Sequence, residues 1–162
     1  MNADSPPPPP SITPPDAARV SWRLPGPLRR TARAFAEALF ADDAGPPPPD
    51  RLDWLLDDVE DFLGRSGARA QGVFQASMLA LATLAPLAVG RPLPLWALDW
   101  ETRVKAVERF EQTPLGLAVL GAKAMLCIVW YEHPAAQAEI GYDRGCLGPA
   151  GAEGAADAKG ER

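Results

Sequence analysis

The sequence predicts an all-α fold of about five helices packed around an apolar central helix at 114–132. Three observations carry this. Apolar residues recur at i, i+3, i+4 and i+7 in successive stretches, the repeat of a helix with one buried face. Alternating strand patterns are missing, and Ala and Leu outnumber Val, Ile and Thr. The prolines and glycines fall between the periodic stretches, where they act as stops.

Proline is distributed unevenly. Thirteen of the 19 prolines lie in the first 50 of the 162 residues. Residues 1–26, with the run Pro6 to Pro10, have too little apolar content to offset chain ordering. They read as a disordered tail of polyproline II character. Residues 27–147 are the helical domain. Residues 148–162, all Gly, Ala, Pro and charged side chains, read as a second disordered tail.

The first helix starts at Pro27, with Leu28, Ala32, Phe35, Ala36, Leu39 and Phe40 on one face. Asp42, Asp43 and Gly45 end it, and Pro46 to Pro49 prevent its continuation. Asp50 is placed to cap a second helix whose stripe is Leu52, Leu55, Leu56, Val59, Phe62 and Leu63. Asp53, Asp57, Asp58, Glu60 and Asp61 fill its other side. With no matching cluster elsewhere, a solvated acidic face is the better reading than a metal site on Asp57 and Asp61. Residues 68–89 form a third helix, with Val73, Phe74, Met78, Leu81, Leu84 and Leu87 inward, which Pro86 kinks or ends.

The fourth helical region, 95–112, takes Asp99 as its cap. Trp100, Val104, Val107 and Phe110 are its buried stripe, and Arg103, Lys105, Glu108, Arg109 and Glu111 are largely solvent-facing. Thr113-Pro114 opens the fifth helix, a capping hydroxyl followed by proline at the first helical position. That helix is apolar nearly all round, the composition of a helix surrounded by others. It carries Lys123, and its roughly 17 apolar residues sit at the short edge of what spans a bilayer, so a core helix is expected rather than a membrane span. His133-Pro134 stops it.

Composition excludes several functions. A net charge of −5 lacks the basic field that nucleic-acid binding needs. Two cysteines make neither a disulfide framework nor a four-cysteine zinc site, and one histidine leaves few zinc-enzyme arrangements. No Gly-rich dinucleotide fingerprint and no haem-attachment motif is present. Met1 to Ser5 followed by prolines is no export signal, and Arg29-Arg30 leads into an amphipathic repeat. The expected location is cytoplasmic.

The chemically informative stretch is 130–147. It leaves the fifth helix, turns at Pro134, makes one short helical turn, and reaches Ile140-Gly141-Tyr142-Asp143. Tyr131, His133 and Tyr142 are amphipathic rings of the kind that anchor protein interfaces. Gly141 and Gly145 permit positive φ. His133 is the sole imidazole base, but Ser66 and Ser77 sit in no nucleophile-elbow context, so a hydrolase built on it is disfavoured. A helix C-terminal residue that caps carbonyls and favours the dipole is the simpler role. Cys127 reads as core, and Cys146 as a loop thiol near Arg144.

This stretch resembles a family signature. Small subunits of the gluconate 2-dehydrogenase subunit 3 type carry a late Tyr-rich helix, a His-Pro or similar step, and a closing Gly-Tyr-x-Gly turn. The helical region preceding the flavin domain of plant-type long-chain alcohol oxidases is similar. The matching residues here are Arg103, Val107, Phe110, the helix 115–131, His133, Pro134, Ile140, Gly141, Tyr142 and Gly145. Arg144 adds one residue to the closing turn.

The resemblance implies a non-catalytic accessory subunit. Its partner would be a large FAD-binding oxidoreductase of the glucose-methanol-choline type, acting on CH–OH groups. This chain would hold no cofactor, the FAD belonging to the partner. Tyr131, His133, Pro134, Gly141, Tyr142 and Asp143 are the expected partner contacts. The alternative from the residues alone is a stand-alone adaptor that binds through its Pro-rich tail and acidic helix.

Overall fold

A computed structural model describes residues 21–42 and 45–141. The all-α expectation holds: the described residues form six α-helices, with an isolated bridge between Asp42 and Gly45 in place of any strand. They are α1 (Gly26–Leu39), α2 (Pro49–Ser66), α3 (Ala68–Leu87), α4 (Trp100–Glu111), α5 (Leu117–Glu132) and the short α6 (Pro134–Glu139). Single 3-10 turns at Leu95–Ala97 and Pro114–Gly116 precede α4 and α5.

The stop signals act largely as the sequence suggests. α3 ends one residue after Pro86. Asp99 caps α4 by accepting the Thr102 N–H at 3.0 Å. Gly67, with φ 85°, is the hinge between α2 and α3, in a conformation that L side chains avoid. Two caps differ. α2 begins at Pro49, so Asp50 lies inside its first turn, because proline's fixed φ already starts the helix. Thr113 does not cap: its hydroxyl donates to the Phe110 carbonyl, and the chain enters α5 through the 3-10 turn.

The domain starts earlier than residue 27. Leu24 is buried and Trp22 packs against the core, so both belong to the fold rather than to a tail. The Leu24 N–H donates to the buried Glu60 carboxylate at 3.1 Å, which fixes this extended segment across α2.

The central position belongs to α3, not to the helix at 114–132. α3 touches α1, α2, α4 and α5, whereas α5 packs on α2, α3 and α6. Val119, Ala122, Leu126, Val129 and Trp130 of α5 are buried, but among the described residues no helix covers its outer side. Leu117 is 76% exposed and Ile128 64%. The α3 core face also differs from expectation. Phe74, Met78 and Leu81 are buried with Ser77, Ala82 and Ala85, while Val73, Leu84 and Leu87 are exposed. An apolar composition all round a helix therefore marks two helices, α3 and α5, that each give only one side to the core. Both, over Ala68–Leu87 and Pro114–Glu132, are long and apolar enough to cross a bilayer by length and composition.

Candidate functional site

The acidic side of α2 is an ion-pair seam, buried at Glu60 and Asp61 and open to water at Asp53 and Asp57. The Glu60 side chain is fully buried and accepts from Arg29 at 2.6 Å and from the Leu24 N–H, with Arg23 at 3.3 Å. Arg29 also reaches Asp57 at 2.9 Å, and Arg33 pairs with Asp53. Burial opposes charge on Arg29, yet its hydrogen bonds to Asp57 and Glu60 outweigh that and raise its pKa. Asp61 is buried against Arg65 one turn on. The solvated acidic face is thus corrected in part: Glu60 and Asp61 are buried while Asp53 and Asp57 stay half open to water, and α1 presents arginines to Asp53, Asp57 and Glu60, so these charges also serve in docking α1. Among the described residues no group of three or more His, Cys, Asp or Glu is placed to hold a metal.

Arg103, expected in solvent, is also internal. It pairs with Glu37 of α1 and donates to the Leu98 carbonyl at 2.9 Å, tying α4 to α1 and to the turn before α4. Ser77 is buried with its hydroxyl on the Val73 and Ala118 carbonyls, and Ser66 donates to the Phe62 carbonyl, so both hydroxyls have structural roles. Cys127 is half-buried, and burial raises its thiol pKa, which suits packing rather than nucleophilic attack.

The remaining chemistry gathers where α5 ends. Trp130 stacks on Phe40 with ring centroids 4.2 Å apart and planes within 6°. The Arg51 guanidinium lies over the Trp130 ring at 3.7 Å. Arg51 then forks onto Glu139 at the end of α6, at 2.8 and 3.2 Å. His133 sits edge-on to Trp54, with centroids 4.8 Å apart.

His133 differs from its expected role. Its Nδ1 accepts the Ala135 N–H at 3.2 Å, so the ring caps the start of α6 instead of donating to the carbonyls of α5. An accepting Nδ1 requires the neutral imidazole. Burial, helped by the nearby Arg51 charge, lowers the His133 pKa in the same direction. Pro134 is the first residue of α6, and Gly141 follows it with φ 69°. Tyr131 is exposed at the end of α5. The structure therefore brings Tyr131, His133, Pro134 and Gly141 to one end of the domain. Tyr142 and Asp143, with Gly145 and Cys146, lie outside the described residues.

Two surface features flank this end. A cavity of about 560 Å³ opens between the end of α1, the proline run and the α5–α6 junction. Its lining includes Phe40, Pro47, Arg51, Trp130, Tyr131 and Glu139. On another side, the outer face of α5 carries Leu117, Leu120, Ala124, Ile128 and Tyr131 at helical spacing. It continues to Phe62 of α2 through a shallow groove lined by Gly121, Met125 and Val129. Sequence reasoning missed Arg51 and Glu139 because 88 positions separate them. It missed the exposed face because periodicity cannot tell which side of an all-apolar helix is covered. No protein-family profile, curated protein or solved structure matches this chain.

Proposed function

We propose that this chain is a non-catalytic accessory subunit that docks on a large FAD-dependent oxidoreductase of the glucose-methanol-choline type. The observation that carries the reading is the outer face of α5, with Leu117, Leu120, Ile128 and Tyr131 exposed on one apolar strip. A contiguous exposed apolar strip on a small helical domain is the signature of a docking surface. It leads at Tyr131 into the His133-Pro134 step and Gly141, the residues that resemble the subunit 3 signature. In this reading the partner holds the flavin and oxidises an alcohol or sugar hydroxyl, and this chain supplies the surface that keeps it assembled.

The experiment is capture from the native cell with a tag on this chain. A yellow complex containing one large flavoprotein is expected. Ile128→Glu places a charge in the strip and should abolish capture while leaving the helical content unchanged. A colourless chain with no such companion overturns the reading, as does full capture by Ile128→Glu.

A further inference from the structure

The cavity beside α6 combines a fixed cation, aromatic walls and a removable carboxylate. Arg51 is the fixed part. Its side chain is 9% exposed, stacked on Trp130, and rooted in the buried face of α2. Its Nε–H is buried and has no acceptor among the described residues, so the guanidinium is held by stacking and by its outer fork alone. Glu139 is the removable part. Its side chain is 60% exposed, and it is the last residue of the six-residue α6, whose main packing is against α5.

A planar guanidinium with a desolvated, preorganised fork selects a carboxylate by two parallel N–H···O bonds. Here Glu139 occupies that fork from inside the chain. A tethered group competes at high effective concentration, so it sets a threshold that an outside ligand must exceed. The cavity volume of about 560 Å³ suits a small organic molecule. Leu39, Phe40, Tyr131 and Ile140 give such a molecule apolar contacts. Asp42 lies on the rim and acts on Glu139 as a like charge. Phosphate has no apolar part and gains nothing from those apolar contacts.

We propose that this cavity binds a small aromatic monocarboxylate, with Arg51 receiving the carboxylate and Glu139 acting as the resident competitor that the ligand displaces. The site is tested on the isolated chain, which separates it from the accessory-subunit reading, although Tyr131 belongs to both the cavity lining and the outer strip of α5.

The test titrates the purified full chain with phenylacetate, with the neutral phenylacetamide and with inorganic phosphate, following heat by calorimetry and the Trp130 indole N–H by NMR. Glu139→Ala should bind phenylacetate at least tenfold tighter than wild type, because it removes the competitor without touching the receptor. Phenylacetamide and phosphate should bind at least tenfold more weakly than phenylacetate to that variant. Arg51→Lys added to Glu139→Ala keeps the charge but loses the fork, and should lose at least tenfold in phenylacetate affinity. If circular dichroism shows that Glu139→Ala unfolds, Glu139→Gln serves, with a several-fold gain expected from its weaker competition. The proposal is overturned by Glu139 variants that bind phenylacetate no tighter than wild type. Phenylacetamide binding equal to phenylacetate, or undiminished binding by the Arg51→Lys double variant, overturns it too.

Discussion

At the scale of single residues, charge is placed by burial. Glu60 has no exposed side-chain area and takes hydrogen bonds from Arg29 and the Leu24 N–H. Glu60→Ala leaves Arg29 with Asp57 alone of its two carboxylates and the buried Leu24 N–H without its acceptor, and should cost about 2 kcal/mol, measured by urea unfolding. His133 gives a pH dependence whose sign follows from its cap. The folded chain holds it neutral to lower pH than the unfolded chain does, since its folded pKa lies below the ordinary value of about 6.5. As pH falls through about 6.5 the unfolded state takes up the proton first, so stability is lost from there down to the folded pKa. The burial-raised pKa of Glu132 works in the opposite direction. His133→Asn keeps a side-chain acceptor at the cap and removes the titration. Thermal melts at pH about 7.5 and 5.5 should show a fall in Tm for wild type and a smaller one for His133→Asn.

At the scale of elements, two glycines flanking the start of α5 separate close approach from mere flexibility. A Cβ on Gly116 would lie 2.5 Å from the Glu111 carbonyl oxygen and 2.8 Å from its Cα, backbone atoms that have no rotamer to escape into. Gly116→Ala should therefore destabilise by about 1–3 kcal/mol, through displacement of the turn that joins α4 to α5. Gly121, one turn into α5, has open space where a Cβ would sit. Gly121→Ala should stabilise by about 0.5–1 kcal/mol through helix propensity alone. Chemical denaturation of both variants checks the contrast. Opposite signs support the packing argument, and equal effects would refute it. The sequence marks both positions only as glycine; the backbone of a neighbouring turn makes one of them obligatory.

At the scale of the whole molecule, the core is built on α3, and the surface on α5. Because Ile128 is 64% exposed, Ile128→Glu should shift the unfolding free energy by less than about 0.5 kcal/mol. Leu126, fully buried on the same helix, should lose about 2–5 kcal/mol on replacement by Ala. Paired unfolding curves test whether α5 has one structural side and one free side. Similar losses for the two variants would mean that the outer strip is packed in solution. The same asymmetry underlies the proposed docking, since a face that contributes little to stability is free to serve a contact.

The sequence by itself determined the helical class, the succession of helices, most of their stops, and the grouping of rings and glycine near the end of α5. These are local properties, set by periodicity of 3.6 residues and by what proline, glycine and capping side chains do to their own turn. Which helix is central, which side of an all-apolar helix faces water, and where a charge finds its partner were decided only by tertiary structure. The α2 carboxylates read as a solvent face until α1 lays Arg29 and Arg33 along them. Arg51 and Glu139 have no relation in sequence, and they meet because α5 carries α6 back to α2. Pairings of that kind depend on how helices dock, and docking is fixed by the summed burial of the whole core rather than by any window of the chain.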